Sequence, residues 1–211
     1  MKHSYLFLLF IALISCNQEK KKETVIPVDP KFLITCDGIG EVKLSYSYTD
    51  LEKKFGKTVL SEHENNRTGK FTTLWENDPK QINVFWNESS QPYKTIKYIE
   101  AVDGMAPYMT SDSIGVGITL RDLVKKNGSM AITFNNFTNV ASPGKIIDFT
   151  NGVIPKNNPC LKGSFESTGQ KPIDVEDFKK FQAKEELKSF DRILERVDVV
   201  LSTIRIEAKK K

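Results

Sequence analysis

Apolar positions along this chain recur with two periods, and the changes between them mark out its elements. A first run, Tyr5 to Ile14, is ten consecutive residues of mostly apolar character, half of the roughly 20 that a helix needs to cross a bilayer. Past Cys16 the chain stays polar as far as Pro30. Beyond that, alternating or short apolar runs predict strands over Thr58–Ser61, Lys70–Trp75, Ile82–Trp86 and Thr95–Ala101. They are separated by Asn65-Asn66, Asn77-Asp78-Pro79 and Ser89-Ser90-Gln91-Pro92, all turn chemistry. Further strands are expected over Met130–Phe137, Lys145–Phe149 and Val199–Ile206. A stripe of Phe178, Phe181, Leu187, Phe190 and Leu194 predicts a helix from an Asp174 cap to about Arg196, with a break near Gln182–Lys184.

The pattern repeats itself. A shift of 72 positions lays Ser47-Tyr48-Thr49-Asp50-Leu51-Glu52-Lys53-Lys54-Phe55-Gly56 over Thr119-Leu120-Arg121-Asp122-Leu123-Val124-Lys125-Lys126-Asn127-Gly128. Each copy reads as a helix of about two turns: Ser47 or Thr119 as N-cap, an acid three residues on, an apolar inner stripe and a closing glycine. Val42 and Leu44 precede the first copy in the register of Ile114 and Val116 before the second. The expected fold is therefore α+β: an antiparallel sheet of about seven or eight strands, built from two helix-led repeats over residues 39–104 and 111–206, with an extra helix before the last strand.

Two resemblances bear on what such a chain does. Leu13-Ile14-Ser15-Cys16 at the end of the first apolar run resembles the lipobox of bacterial lipoproteins. That implies a signal peptide over residues 1–15, removed on export, and fatty acylation of Cys16. Several acyl chains, at about 0.8 kcal/mol per buried methylene, hold a protein on a membrane with no spanning helix. Residues 16–30, with Glu19-Lys20-Lys21-Lys22-Glu23, then read as a flexible tether. Asn17, rather than Asp, after the cysteine resembles lipoproteins that are passed to the outer membrane of a Gram-negative cell, and the charged cluster after it resembles the export region of Bacteroidetes lipoproteins.

The paired helix–glycine units, with Gly117-Ile118-Thr119-Leu120 in the second, also resemble the tandem helix-plus-sheet repeat of β-lactamase inhibitor protein and the SmpA/OmlA lipoproteins. Ser113-Ile114-Gly115-Val116-Gly117-Ile118-Thr119-Leu120 with Asn127-Gly128 is similar to an uncharacterised Bacteroidetes lipoprotein family. Many of its members carry a tryptophan- and glycine-rich stretch after the second asparagine-glycine, and Ala131–Asn139 has no tryptophan. The resemblance implies a lipid-anchored module that contacts another envelope protein.

Charge and cysteine content narrow the classes. Without Met1–Ser15 the balance is +3 over 196 residues, and the basic runs Lys20–Lys22 and Lys209–Lys211 lie at the two ends. This is not the basic stripe of a nucleic-acid binder, and residues 207–211 read as a solvated tail. Cys36 and Cys160, one at each flank of the domain, suit a disulfide in an exported protein, the alternative being two buried thiols. No cofactor or metal is expected, since His63 is the one histidine after Cys16 and neither cysteine has a near partner.

The sequence holds little of a catalytic constellation. His63-Glu64-Asn65-Asn66-Arg67 lacks the second histidine of a zinc-protease helix and reads as a turn, with His63 a solvated loop side chain. Ser142-Pro143-Gly144-Lys145 has the bare serine–lysine spacing of acyl-enzymes, but Pro-Gly dictates a β-turn there. Two glycine pairs, Gly38-Ile39-Gly40 and Gly115-Val116-Gly117, lack the third glycine of a nucleotide fingerprint. A non-enzyme is therefore expected.

Trp75, Phe85, Trp86, Tyr93 and Tyr98 are the candidate binding surface. Alternation puts Ile82, Val84 and Trp86 on one face of their strand and Phe85 on the other, so some of these rings fall outside the core. They fit a protein-contact surface, with a glycan or small ligand stacked on the same rings as the alternative. The alternative to any binding role is that the rings fill the gap between helix and sheet. Asp112-Ser113-Ile114 resembles the acceptor pattern for O-glycosylation in Bacteroidetes, with Ser113 as the site.

Overall fold

The computed structural model describes residues 27–66, 68–102 and 104–207. The expected signal segment, Cys16, most of the expected tether and residues 208–211 lie outside the described residues. The fold is mixed α+β with sheets that are mostly antiparallel. A 3-10 turn, Pro30–Phe32, leads into a small sheet of β1 (Ile34–Thr35), β2 (Gly38–Ile39) and β3 (Val42–Lys43). Helix α1 (Tyr48–Phe55) precedes the meander β4 (Leu60–Asn65), β5 (Gly69–Leu74), β6 (Ile82–Trp86) and β7 (Ile96–Ala101).

Helix α2 (Leu120–Lys126) precedes β8 (Thr133–Asn135) and β9 (Ile146–Asp148), which pair with each other. The short helix α3 (Ile154–Asn157) follows, then β10 (Leu161–Gln170), α4 (Val175–Gln182), β11 (Glu186–Lys188) and β12 (Val197–Glu207). Strands β10 and β12 join the first meander in a six-stranded sheet of order β10-β12-β7-β6-β5-β4, and β11-β8-β9 form a separate three-stranded sheet. A single bridge, Lys145 to Ser164, connects β9 to β10 at the edge of the larger sheet.

The helices begin and end where their end residues direct. Ser47 accepts from the Asp50 N–H while the Asp50 carboxylate accepts from the Ser47 N–H, a complete capping box. Thr119 caps α2 from the same position relative to Asp122. Gly56 and Gly128 take φ of +88° and +72°, a backbone that side-chain-bearing residues avoid. The Ser47 backbone and side-chain hydrogen bonds hold the Asp50 carboxyl below its usual value, and hydrogen bonds from Lys125 and Thr119 do the same for Asp122.

The inner face of the six-stranded sheet carries Leu74, Ile82, Val84, Ile99, Ala101, Ile204 and Ile206, all without exposure. They belong to one cluster with Leu51 of α1, Leu123 of α2 and Phe134 and Leu187 of the small sheet. A disulfide joins Cys36 to Cys160, 124 residues apart.

Three expectations require correction. The helix from Asp174 ends at Gln182, not near Arg196: Leu187 is buried as part of β11, and Phe190 stands 64% exposed. Strand β10, ten residues long, was not expected, because its apolar side chains are only Leu161 and Phe165. Its stability comes from nine paired positions along β12. The strand expected over Met130–Phe137 shrinks to Thr133–Asn135 and sits with β9 in the separate sheet.

Replacing both Cys36 and Cys160 by serine is expected to cost about 4 to 5 kcal/mol in urea unfolding, the loop-closure value for so long a loop. The Asp50 and Asp122 carboxyls are depressed in the folded state, so their contribution is present above the unfolded value of 3.8 and fades as pH falls below it. The double variant Asp50→Asn, Asp122→Asn should therefore show a shallower loss of stability below pH 3.8 than the parent.

Candidate functional site

Strand register arranges side chains on the outer face of the six-stranded sheet, the one turned away from α1. Across β4, β5, β6 and β7 the paired positions are His63 with Phe71, Phe71 with Phe85 and Phe85 with Tyr98. Their rings stack in sequence, with centroids 5.1, 5.0 and 4.3 Å apart and interplanar angles of 19° to 25°. On the far side of Tyr98 the Arg205 guanidinium of β12 lies 3.9 Å from the ring centroid. Five strands thus carry one continuous ladder that runs from an imidazole to a guanidinium.

Both ends of the ladder have an acid. The Arg205 Nε and Nη2 donate to the Glu100 Oε1 at 2.8 and 2.6 Å, from the neighbouring paired position on β7. His63 Nε2 lies 3.2 Å from Glu76 Oε1, near enough for an ion pair when the ring is protonated though not aligned as a hydrogen bond. The Glu100 side chain is 11% exposed, so the guanidinium stabilises a carboxylate that water reaches poorly.

Register shifts bend the sheet along this face. Between Ser164/Phe165 and Ser167/Gly169 the β10–β12 ladder slips, leaving Ser202 and Thr168 as extra residues, and a further shift follows Phe85 in β6. Bulges of this kind kink and twist a strand. The outer face here is the floor of an open groove of about 1410 Å³. Phe71, Phe85 and Tyr98 line it together with Asn83, Arg205 and Lys97, and the segment 137–145 forms a wall that includes Phe137, Ser142 and Pro143.

The five aromatic residues singled out by sequence do not share one surface. Phe85 and Tyr98 line the groove. Trp86 and Tyr93 stack on the opposite face, 5.3 Å apart, with Tyr48 of α1 tilted against both. They are 5% and 3% exposed, and the Trp86 indole donates to Thr72 Oγ1 at 2.9 Å, so they fill the space beneath α1. Trp75 packs edge-on against Phe55 at the end of that helix.

His63 also needs correction: it sits within β4, not in a turn, which begins only at Asn66. Arg67 lies outside the described residues. Sequence reasoning missed Phe71, Arg205 and Glu100. The signal for Phe71 was its place two residues from Thr73 on the polar side of its strand, whereas Arg205 enters only through the pairing of β12 with β7.

Other singled-out positions resolve locally. Lys145 N–H donates to the Ser142 carbonyl, closing a turn with Gly144 at φ +64°, and the Ser142 hydroxyl accepts from the Asn135 amide. Ser113 is exposed at φ +57° in a turn held by its N–H to the Thr110 carbonyl. Among the described residues, no group of three or more His, Cys, Asp and Glu side chains is placed to hold a metal ion, and no helix is long and apolar enough to cross a membrane. No family model, curated protein or solved structure matches the chain.

The ladder's end can be tested by a double-mutant cycle. Arg205→Ala leaves the sheltered Glu100 carboxylate without its cation and is expected to cost about 1.5 to 3 kcal/mol. In a Glu100→Gln background the same change should cost less; equal losses in both backgrounds, read by urea unfolding, contradict the pairing.

Proposed function

We propose that this protein is a lipid-anchored envelope module that grips a segment of another protein in the groove on the outer face of its six-stranded sheet. The observation that carries the reading is the groove itself. At about 1410 Å³ and open along its length, it exceeds the roughly 300–1,000 Å³ of small-ligand sites. Its lining mixes aromatic rings with amides and hydroxyls from Asn83, Asn87, Thr95, Ser167 and Thr203, partners for a polypeptide backbone.

A stacked sugar is less well served. Stacking needs a free ring face, and the faces of Phe85 and Tyr98 are occupied by their ladder neighbours and by Arg205. Both rings are nearly buried. Catalysis also has little support here, because the most sheltered carboxylate, Glu100, is neutralised by Arg205.

The anchoring half of the proposal rests on Leu13-Ile14-Ser15-Cys16, with Cys16 acylated after removal of residues 1–15 and the protein held on the outer membrane. The tandem-repeat reading, by likeness to β-lactamase inhibitor protein, is supported by two capped helices that each lead into a run of strands. Ser113 remains a proposed O-glycosylation site, supported by its exposure.

The test is site-specific photocrosslinking in cells. A photoreactive residue at Lys97 or Thr95, both in the groove lining, should yield one discrete protein adduct. The same probe at Lys180 on α4, outside that lining, should yield none. Cys16→Ser should remove the protein from the membrane fraction and weaken the adduct. If Lys97, Thr95 and Lys145 all fail to crosslink a protein, the groove reading is wrong.

A further inference from the structure

Strand β10 is the last strand on one side of the six-stranded sheet, and only half of its outer edge is covered. Along the first half, the chain that leads into β9 runs beside it. Lys145 bridges to Ser164, and the Phe165 N–H donates to the Gly144 carbonyl at 2.8 Å. There the covering chain turns off. Pro143 has no N–H with which to continue the pairing, and a Cβ at Gly144 would overlap the Phe165 carbonyl oxygen, so only glycine comes this close. The departing turn is fastened from within. Asn139 Oδ1 accepts from the Ala141 and Ser142 N–H groups at 3.1 and 2.9 Å, and the Asn135 amide donates to the Ser142 carbonyl at 3.0 Å.

Beyond Phe165 this edge has no neighbouring strand among the described residues, and Glu166, Ser167, Thr168 and Gln170 are exposed along it. Register gives the direction of the free backbone groups. Phe165 and Leu201 are paired positions, yet each turns its N–H away from the other, Phe165 to Gly144 and Leu201 to Ile118. Backbone groups alternate sides along a strand, and the pairing with β12 is regular from Phe165 to Ser167. The Ser167 N–H and C=O therefore point outward as well. Glu166 and Ser167 also line the groove, together with Ala141, Ser142 and Pro143 of the departing turn.

We infer that the protein held in the groove adds an extended strand to this open half of β10. The inference rests on the groove reading above and specifies it. Main-chain hydrogen bonds at Ser167 supply the grip, as they do wherever a peptide extends a sheet at its edge. Glu166 sets a requirement on sequence. Its carboxylate has no ion-pair partner among the described residues, and a charge on an edge discourages pairing with strands that cannot answer it. A cross-strand Lys or Arg neutralises it. The occupant is therefore an extended segment of another protein with a basic residue opposite Glu166.

Photoreactive residues placed in the full chain at Lys97, in the groove, and at Gln170, on the open edge outside the groove lining, separate the two readings in cells. Both probes should label the same protein, on one short segment that carries Lys or Arg when mapped by mass spectrometry. Ser167→Pro removes the outward N–H and leaves the inward pairing of Glu166 with Val200 in place, since proline is tolerated on an edge strand. It should lower both adducts about tenfold while urea unfolding is unchanged. Glu166→Lys, at an exposed position, should lower them as well by repelling the basic residue, and it decides the matter if the proline variant unfolds. A Lys97 adduct with none at Gln170, or adducts that survive both variants, overturns the added strand and leaves the groove reading standing. A Gln170 adduct sensitive to both variants, with none at Lys97, keeps the added strand and removes the groove reading. An adduct of twice the chain's own mass makes the occupant a second copy and overturns the assignment to another protein, and silence at both probes overturns both readings.

Discussion

Four paired positions between β7 and β12, from Ile204 with Ala101 to Glu207 with Tyr98, join residues near 100 to residues near 205. Without this contact the meander β4–β7 and the paired strands β10 and β12 would be separate sheets. With it, Ile99 and Ile206 become neighbours on the inner face, and Arg205 comes beside Glu100 on the outer one. The pairing closes over a long stretch of chain, so it carries a large loop-closure cost that only the combined core and ladder offset. The charged end of the ring ladder, Arg205 beside Glu100 and over Tyr98, depends on this one junction.

The sheet's two faces divide the aromatic side chains by task. Below, Trp86, Tyr93 and Tyr48 wedge α1 onto the strands and give the helix a firm seat despite its eight residues. Above, the stacked rings stiffen a curved surface that would otherwise be a thin, twisting ribbon at the β4 edge. A rigid concave floor reduces the ordering cost of binding an extended segment.

Much of this was legible in the chain, and the failures have physical causes. The capped helices could be read because Ser47, Asp50 and Gly56, and their counterparts Thr119, Asp122 and Gly128, act within one or two turns of each other. Strand β6 was read at its true limits, Ile82 and Trp86, because alternation and flanking turns agree there. Strand β10 was invisible since Lys162, Gly163, Ser164 and Glu166 carry no strand signal, and its order comes from β12 alone. The false helix beyond Gln182 arose because Leu187, Phe190 and Leu194 fit a helical stripe by spacing while only Leu187 is fully buried. Phe85's opposition to Trp86 was readable from alternation, but the ladder joining His63, Phe71, Phe85, Tyr98 and Arg205 needs the register of five strands, which no local pattern contains.

The Cys36–Cys160 bridge also determines how the fold would bear load. A pull on the chain ahead of Pro27 reaches Ile34 and then Cys36, beside strands of only two residues that would peel open one bond at a time. The covalent link passes that force instead to Cys160, at the head of β10, whose nine paired positions along β12 make it one of the firmest lines in the molecule. Tension at the N-terminus would therefore pass through β1 to the bridge and on to the central sheet, and β2 and β3, which follow Cys36, would be spared.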